Sequence, residues 1–136
     1  TGQFYATKGN YVLTRSATLM KQMQPFVNYV KQEVVAVGER EVTLRMTTYD
    51  AAMNKLVSSD SKLSRSGNKD QRHSGEEPVE ELVVVRGSGG FYCLRQNVSA
   101  DTTTTTIWMH RGATPKMRVA SPEFTMVQEA LEFRVR

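Results

Sequence analysis

One cysteine, Cys93, and two histidines, His73 and His110, are the side chains here that could serve as thiol nucleophile and imidazole base. A hydrolytic site needs a nucleophile, a base and a group that orients the base. His73 falls in a polar run of Ser, Gly, Asn, Lys and Asp, a poor support for a ring held in fixed geometry. His110 follows Ile107-Trp108-Met109 at the end of an extended run. Cys93 and His110 are therefore the enzyme candidates. No catalytic motif surrounds them, and a lone strand cysteine is most often a buried structural thiol. The expectation is a non-enzyme. The carboxylates Glu76, Glu77, Glu80 and Glu81 lack the Asp/Asn/Gly spacing of a calcium loop, and two distant histidines with one cysteine do not make a zinc site. No metal and no cofactor is expected. Gly87-Ser88-Gly89-Gly90 precedes an aromatic run, not a helix, so it reads as a turn and not a phosphate cradle. Asn97-Val98-Ser99 satisfies the glycosylation sequon, which matters only in a eukaryotic secreted protein.

Binding chemistry is better represented. Seven methionines are many for 136 residues, and they suit either a core or an adaptable apolar surface. Met46, Phe91, Trp108 and Met109 are the candidate contacts for an apolar small molecule or a protein partner. A second reading takes Arg86, Phe91, Arg95, Trp108 and Arg111 as a basic and aromatic strand of a nucleic-acid-binding barrel. Adjacent Phe91 and Tyr92 point to opposite faces of a strand, so only one of them can serve as a stacking platform.

The elements that would position these residues are strands. Glu41–Tyr49 alternates Val42, Leu44 and Met46 with polar residues, the period of a half-buried strand. Asn28–Val37 changes apolar phase near Lys31–Val34, which predicts a bulge or strong twist. Gly38-Glu39-Arg40 joins the two runs, with Gly38 expected to supply a positive φ. Leu82-Val83-Val84-Val85 is continuously apolar, predicting burial on both faces, and pairs across the glycine turn with Phe91–Arg95. Thr103–His110 is a β-branched strand, and Leu131, Phe133 and Val135 mark a closing one. Phe4–Thr7 and Tyr11–Arg15 read as short opening strands. Ala17–Gln24 and Ala51–Val57 carry apolar residues at helical spacing and are expected to form one or two helical turns. Ser58–Pro78 is polar and reads as a mobile loop, in which a basic stretch (Lys62, Arg65, Lys69, Arg72, His73) meets the acidic one. The whole is one β-rich domain, an antiparallel sheet closing to a barrel or packing as a sandwich. The net charge of +4 is mildly basic, and no apolar run is long enough to span a membrane as a helix.

The run from Val27 to Asp50, after the Gly-Asn-Tyr-Val-Leu opening at Gly9–Leu13, is similar to the start of small secreted TapB-like domains of Bacteroidetes, and Gly89–Tyr92 resembles a later strand there. The similarity covers about a third of the chain, and the long polar loop departs from the pattern. It implies an exported or periplasmic, non-enzymatic β protein and brings no catalytic residues with it. A lone cysteine is equally compatible with the cytoplasm as the alternative compartment.

Overall fold

The computed structural model describes residues 3–64, 77–85 and 89–136. A short 3-10 helix, Gln3–Ala6, replaces the expected first strand. Nine strands follow: β1 (Tyr11–Met20), β2 (Phe26–Val37), β3 (Glu41–Tyr49), β4 (Lys55–Ser64), β5 (Val79–Val85), β6 (Gly89–Ala100), β7 (Thr103–His110), β8 (Ala113–Ala120) and β9 (Phe124–Arg134). They form one antiparallel sheet in the order β4-β3-β2-β1-β9-β8-β7-β6-β5. Sequence neighbours pair everywhere except between β4 and β5, which lie at opposite ends, and β9 docks beside β1 to join the two halves.

The sheet is open, with β4 and β5 at its ends, and there is no second sheet for a sandwich among the described residues. Strand parity gives a reason. In an antiparallel sheet with an odd number of strands the two end strands run in the same direction. Closing β4 onto β5 would require a parallel ladder, with its slanted and slightly weaker bonds. The sheet curls instead, bringing β5 against β8 and β9 without pairing to them.

Several expected elements change identity. Ala17–Met20 continues β1 as strand, and Lys21–Met23 is its turn. Ala51–Asn54 is the β3–β4 turn, after which β4 begins. No helical turn forms at either site, because the apolar residues there do not face a core: Leu19, Met23 and Leu56 are all more than half exposed. β4 also takes the first part of the expected loop, through Ser64. It is held by a full ladder to β3 and by the Arg45–Asp60 ion pair at 2.8 Å. The rest of that loop through Glu76, including His73, lies outside the described residues. β8 was not anticipated.

The β2 bulge is present, between Val34 and Ala36 where β2 meets β3. Gly38 does not adopt a positive φ. Its use is room: its N–H donates to Glu41 O at 2.8 Å, and an added Cβ would sit 3.3 Å from that oxygen. The left-handed positions fall elsewhere, on Gly9, Gln22, Met53, Gly89, Asp101, Arg111 and Gly112.

The core is built from Phe4, Val12, Val34, Val42, Leu44, Val83, Val85, Cys93, Trp108, Ala113, Ala130 and Phe133. None of the seven methionines belongs to it, and none lines the cleft beside β5. The covered face changes side across the sheet. Trp108, Lys116, Glu129 and Arg15 form one register row, buried at Trp108 and exposed at Arg15. On β1 the buried residues Val12, Thr14 and Ser16 belong to the opposite face from Arg15. Two bulges lie in this transition. Three β8 residues, 114 to 116, follow Ala113 where two follow Trp108 on β7, and Leu131 is skipped in the β1–β9 ladder. An extra residue reverses the side-chain alternation beyond it, which moves the packed face from one side to the other.

Candidate functional site

β5 separates two surfaces with different chemistry. Its alternation places Glu81, Val83 and Val85 on the covered side and Glu80, Leu82 and Val84 on the open side. The expectation of burial on both faces fails here. Val83 and Val85 are buried, whereas Leu82 is 52% and Val84 73% exposed.

On the covered side, Glu81 gathers two donors. One carboxylate oxygen accepts from the Trp108 indole N–H, and the other from the Arg95 guanidinium at 3.2 Å. Register explains the convergence: Arg95 lies directly opposite Trp108 on β7, and Glu81 lies opposite Cys93, two residues along β6. Trp108 is buried, so its N–H needs this acceptor. The Lys116 ammonium sits 4.8 Å from the Trp108 ring centroid. Glu81, Trp108 and Lys116 edge a cleft of about 260 Å³ that runs along residues 81–85 of β5 and is closed across by Pro115, Glu129 and Ala130. Three ionisable side chains on its rim make it unlike the methionine-lined apolar pocket that a lipophilic carrier would need.

Cys93 and His110 sit on adjacent strands, one step beyond the Leu94–Met109 pair. They are not engaged as nucleophile and base. The His110 ring stacks on Phe91, with centroids 4.4 Å apart, and lies 5.8 Å from Phe133. Its Nδ1 pairs with Tyr92 O at 2.9 Å. The Cys93 thiol is buried, and burial together with the nearby Glu81 charge pushes its pKa up to about 11. That favours the protonated thiol, the opposite of what an activated cysteine requires.

The open side of β5 continues across β6 and β7. Leu82 pairs with Tyr92, Glu80 with Leu94, and Leu94 with Met109, so these side chains share one face. Tyr92 is 63%, Leu94 54% and Met109 40% exposed. Five large apolar side chains on neighbouring strands thus form one surface, flanked by Glu80. A second exposed apolar group (Leu19, Met20, Met23 and Phe26) crowns the β1–β2 hairpin end.

The residues singled out from the sequence do not converge on one site. Trp108 and Met109 face opposite sides of β7, and Met46 lies on β3, paired with Gln32 and Ser59. Of the basic and aromatic set, Arg86 lies outside the described residues. Phe91 is taken up by the His110 and Phe133 rings, Arg95 by Glu81, and Trp108 by the core. Arg111 donates to Val135 O at 3.3 Å. Only Met109 belongs to the exposed apolar face. Leu82, Val84, Tyr92 and Leu94 were missed there. Among the described residues, no three His, Cys, Asp or Glu side chains are grouped as a metal site, and no helix is long and apolar enough to cross a membrane.

No protein-family model, curated protein or solved structure matches this chain.

Proposed function

We propose that this chain is a non-catalytic β module that binds a protein partner through the open face of β5, β6 and β7. The observation that carries this reading is the shared exposure of Leu82, Val84, Tyr92, Leu94 and Met109 on one side of three paired strands. Their exposed area is of the order of 500 Å², the size of the largest apolar patch on a monomeric protein, which is often a binding site. The TapB-like resemblance favours an exported or envelope-associated setting for such a module. Its area is below the ~800 Å² per partner of a standard interface, so binding through this face alone should be micromolar.

The alternatives draw less support. An apolar ligand would meet Glu81, Lys116 and Glu129 at the cleft. An oligonucleotide would find Trp108 buried and Arg95 already ion-paired. The test is selection of displayed peptides on the purified protein, followed by affinity measurement with two variants. Tyr92→Ser/Leu94→Ser should weaken the selected peptides at least about tenfold, as expected when central apolar anchors are removed. Lys116→Ala, at the cleft, should leave them unchanged. Equal binding by wild type and the double variant would remove the proposal.

A further inference from the structure

The two ends of the sheet are built differently. β4 is an end strand, every residue exposed, in which Lys55, Lys62, Asp60 and four serines separate the apolar Leu56, Val57 and Leu63. Charged, polar composition of this kind is how natural sheets blunt an edge. β5 is also an end strand, yet it carries Leu82-Val83-Val84-Val85 without lysine, proline or register shift. Apolar residues on both faces are the composition of a central strand. Glu81 is held by Arg95 and Trp108, whereas Glu80, exposed on the open face, has no ion pair among the described residues. The chain's own β4 could meet this edge only in parallel.

We infer that β5 is a docking edge for an extended segment of another protein, which adds as an antiparallel strand and sets a basic side chain opposite Glu80. This rests on the protein-binding reading above and specifies its mode. Main-chain bonds to the unpaired edge of β5, along the cleft that separates it from β8 and β9, supply affinity, and alternate side chains supply selectivity. On the open face the incoming strand extends the row of Leu82 and Val84 with apolar residues. Because it runs antiparallel, its basic residue lies toward its C-terminal end, opposite the start of β5. That one charge is the discriminating feature of the partner, since opposite charges directly across a ladder attract and like charges repel.

The probe is an end-capped seven-residue peptide in which threonine alternates with valine, valine and lysine, in that order. It is titrated into the full chain while backbone amide exchange is followed by NMR. The inference expects alternate amides of β5 to slow about tenfold or more as the edge is occupied. It expects Glu80→Lys to weaken the peptide about three- to tenfold, and replacement of the peptide's lysine by glutamate to recover the affinity for that variant. Glu80 is exposed, so the variant keeps its fold. Shifts at Tyr92, Leu94 and Met109 without slowing of β5 amides would overturn strand addition while leaving the protein-binding reading in place. So would β5 protection that rises with protein concentration and no peptide, because the occupant would then be a second copy. Loss of both the probe and all selected peptides would remove the two together.

Discussion

Glu81 is the residue whose removal should cost the fold most for its size. It accepts from the buried Trp108 N–H and from Arg95. In Glu81→Ala the indole N–H keeps its position in the core and loses its acceptor. A buried donor left without a partner costs about 1–3 kcal/mol. The Arg95–Glu81 pair is about one-third exposed on each side, so its loss adds at most about 1 kcal/mol. The expected total is about 1–4 kcal/mol. For a domain of this length each kcal/mol moves the midpoint by about 3–5 °C, so Tm should fall by roughly 3–20 °C. Trp108 is the single tryptophan, so its fluorescence during denaturant unfolding reports the site directly. The control is the same substitution in a Trp108→Phe background, where no N–H exists to be orphaned. There Glu81→Ala should cost only the Arg95 contribution. An equal cost in both backgrounds, or a loss under about 0.5 kcal/mol in the native one, would refute the assignment of Glu81 as the indole acceptor.

Two further outcomes follow from local features. The Cys93 thiol has a folded pKa of about 11 against 9.0 for the free group. A raised thiol pKa means the folded state favours the protonated form. Its contribution is therefore complete below pH 9 and is lost as pH rises through 9 to 11, by up to about 2–3 kcal/mol. Thermal unfolding of wild type against Cys93→Ala across pH 8–11 should show a steeper alkaline decline in the wild type; parallel curves would contradict it. Met53 occupies a left-handed conformation, φ 67°, in a β3–β4 turn where Asp50 accepts from the Ala52 and Asn54 amides. Met53→Gly relieves that strain against a smaller gain in unfolded-chain freedom, and should raise stability by about 0.5–1 kcal/mol. A lower Tm in the variant would show that the Met53 side chain packs usefully.

What was legible in the sequence depended on whether a strand has one clean buried face. β3 does in its first half: Val42 and Leu44 are buried beside exposed Glu41 and Arg45, and alternation marked its limits at Glu41 and Tyr49, although Met46, expected on the same face, is exposed and Thr47 is buried in its stead. β4 has no buried face, so its polar residues looked like loop. β8 carries Pro115 at its bulge and Lys116 and Arg118 beyond it, which breaks both period and propensity. Leu19, Met20 and Met23 imitated helix because exposed apolar residues carry no constraint of period.

The site was less legible for a related reason. In Leu82-Val83-Val84-Val85 all four residues are apolar, so composition alone cannot say which pair faces water. That distinction comes from the curl of the sheet, which covers Val83 and Val85 and leaves Leu82 and Val84 open. The Glu81–Trp108–Arg95 group joins residues from three strands, and its convergence is set by ladder register, which no local pattern encodes. Met109 was the one candidate that fell on the exposed face, through its place beside Leu94.

The central claim is that the open face of β5–β7 is where a protein partner binds. It is tested most directly by placing a photo-crosslinking residue at Tyr92 and, separately, at Leu56 on β4, which are 63% and 60% exposed. Each variant is irradiated in cells of the native host, and protein adducts are quantified. The account predicts one discrete adduct from position 92, several-fold above position 56 and abolished by Leu94→Ser. Equal adduct yields from both positions, tracking exposure alone, would contradict it.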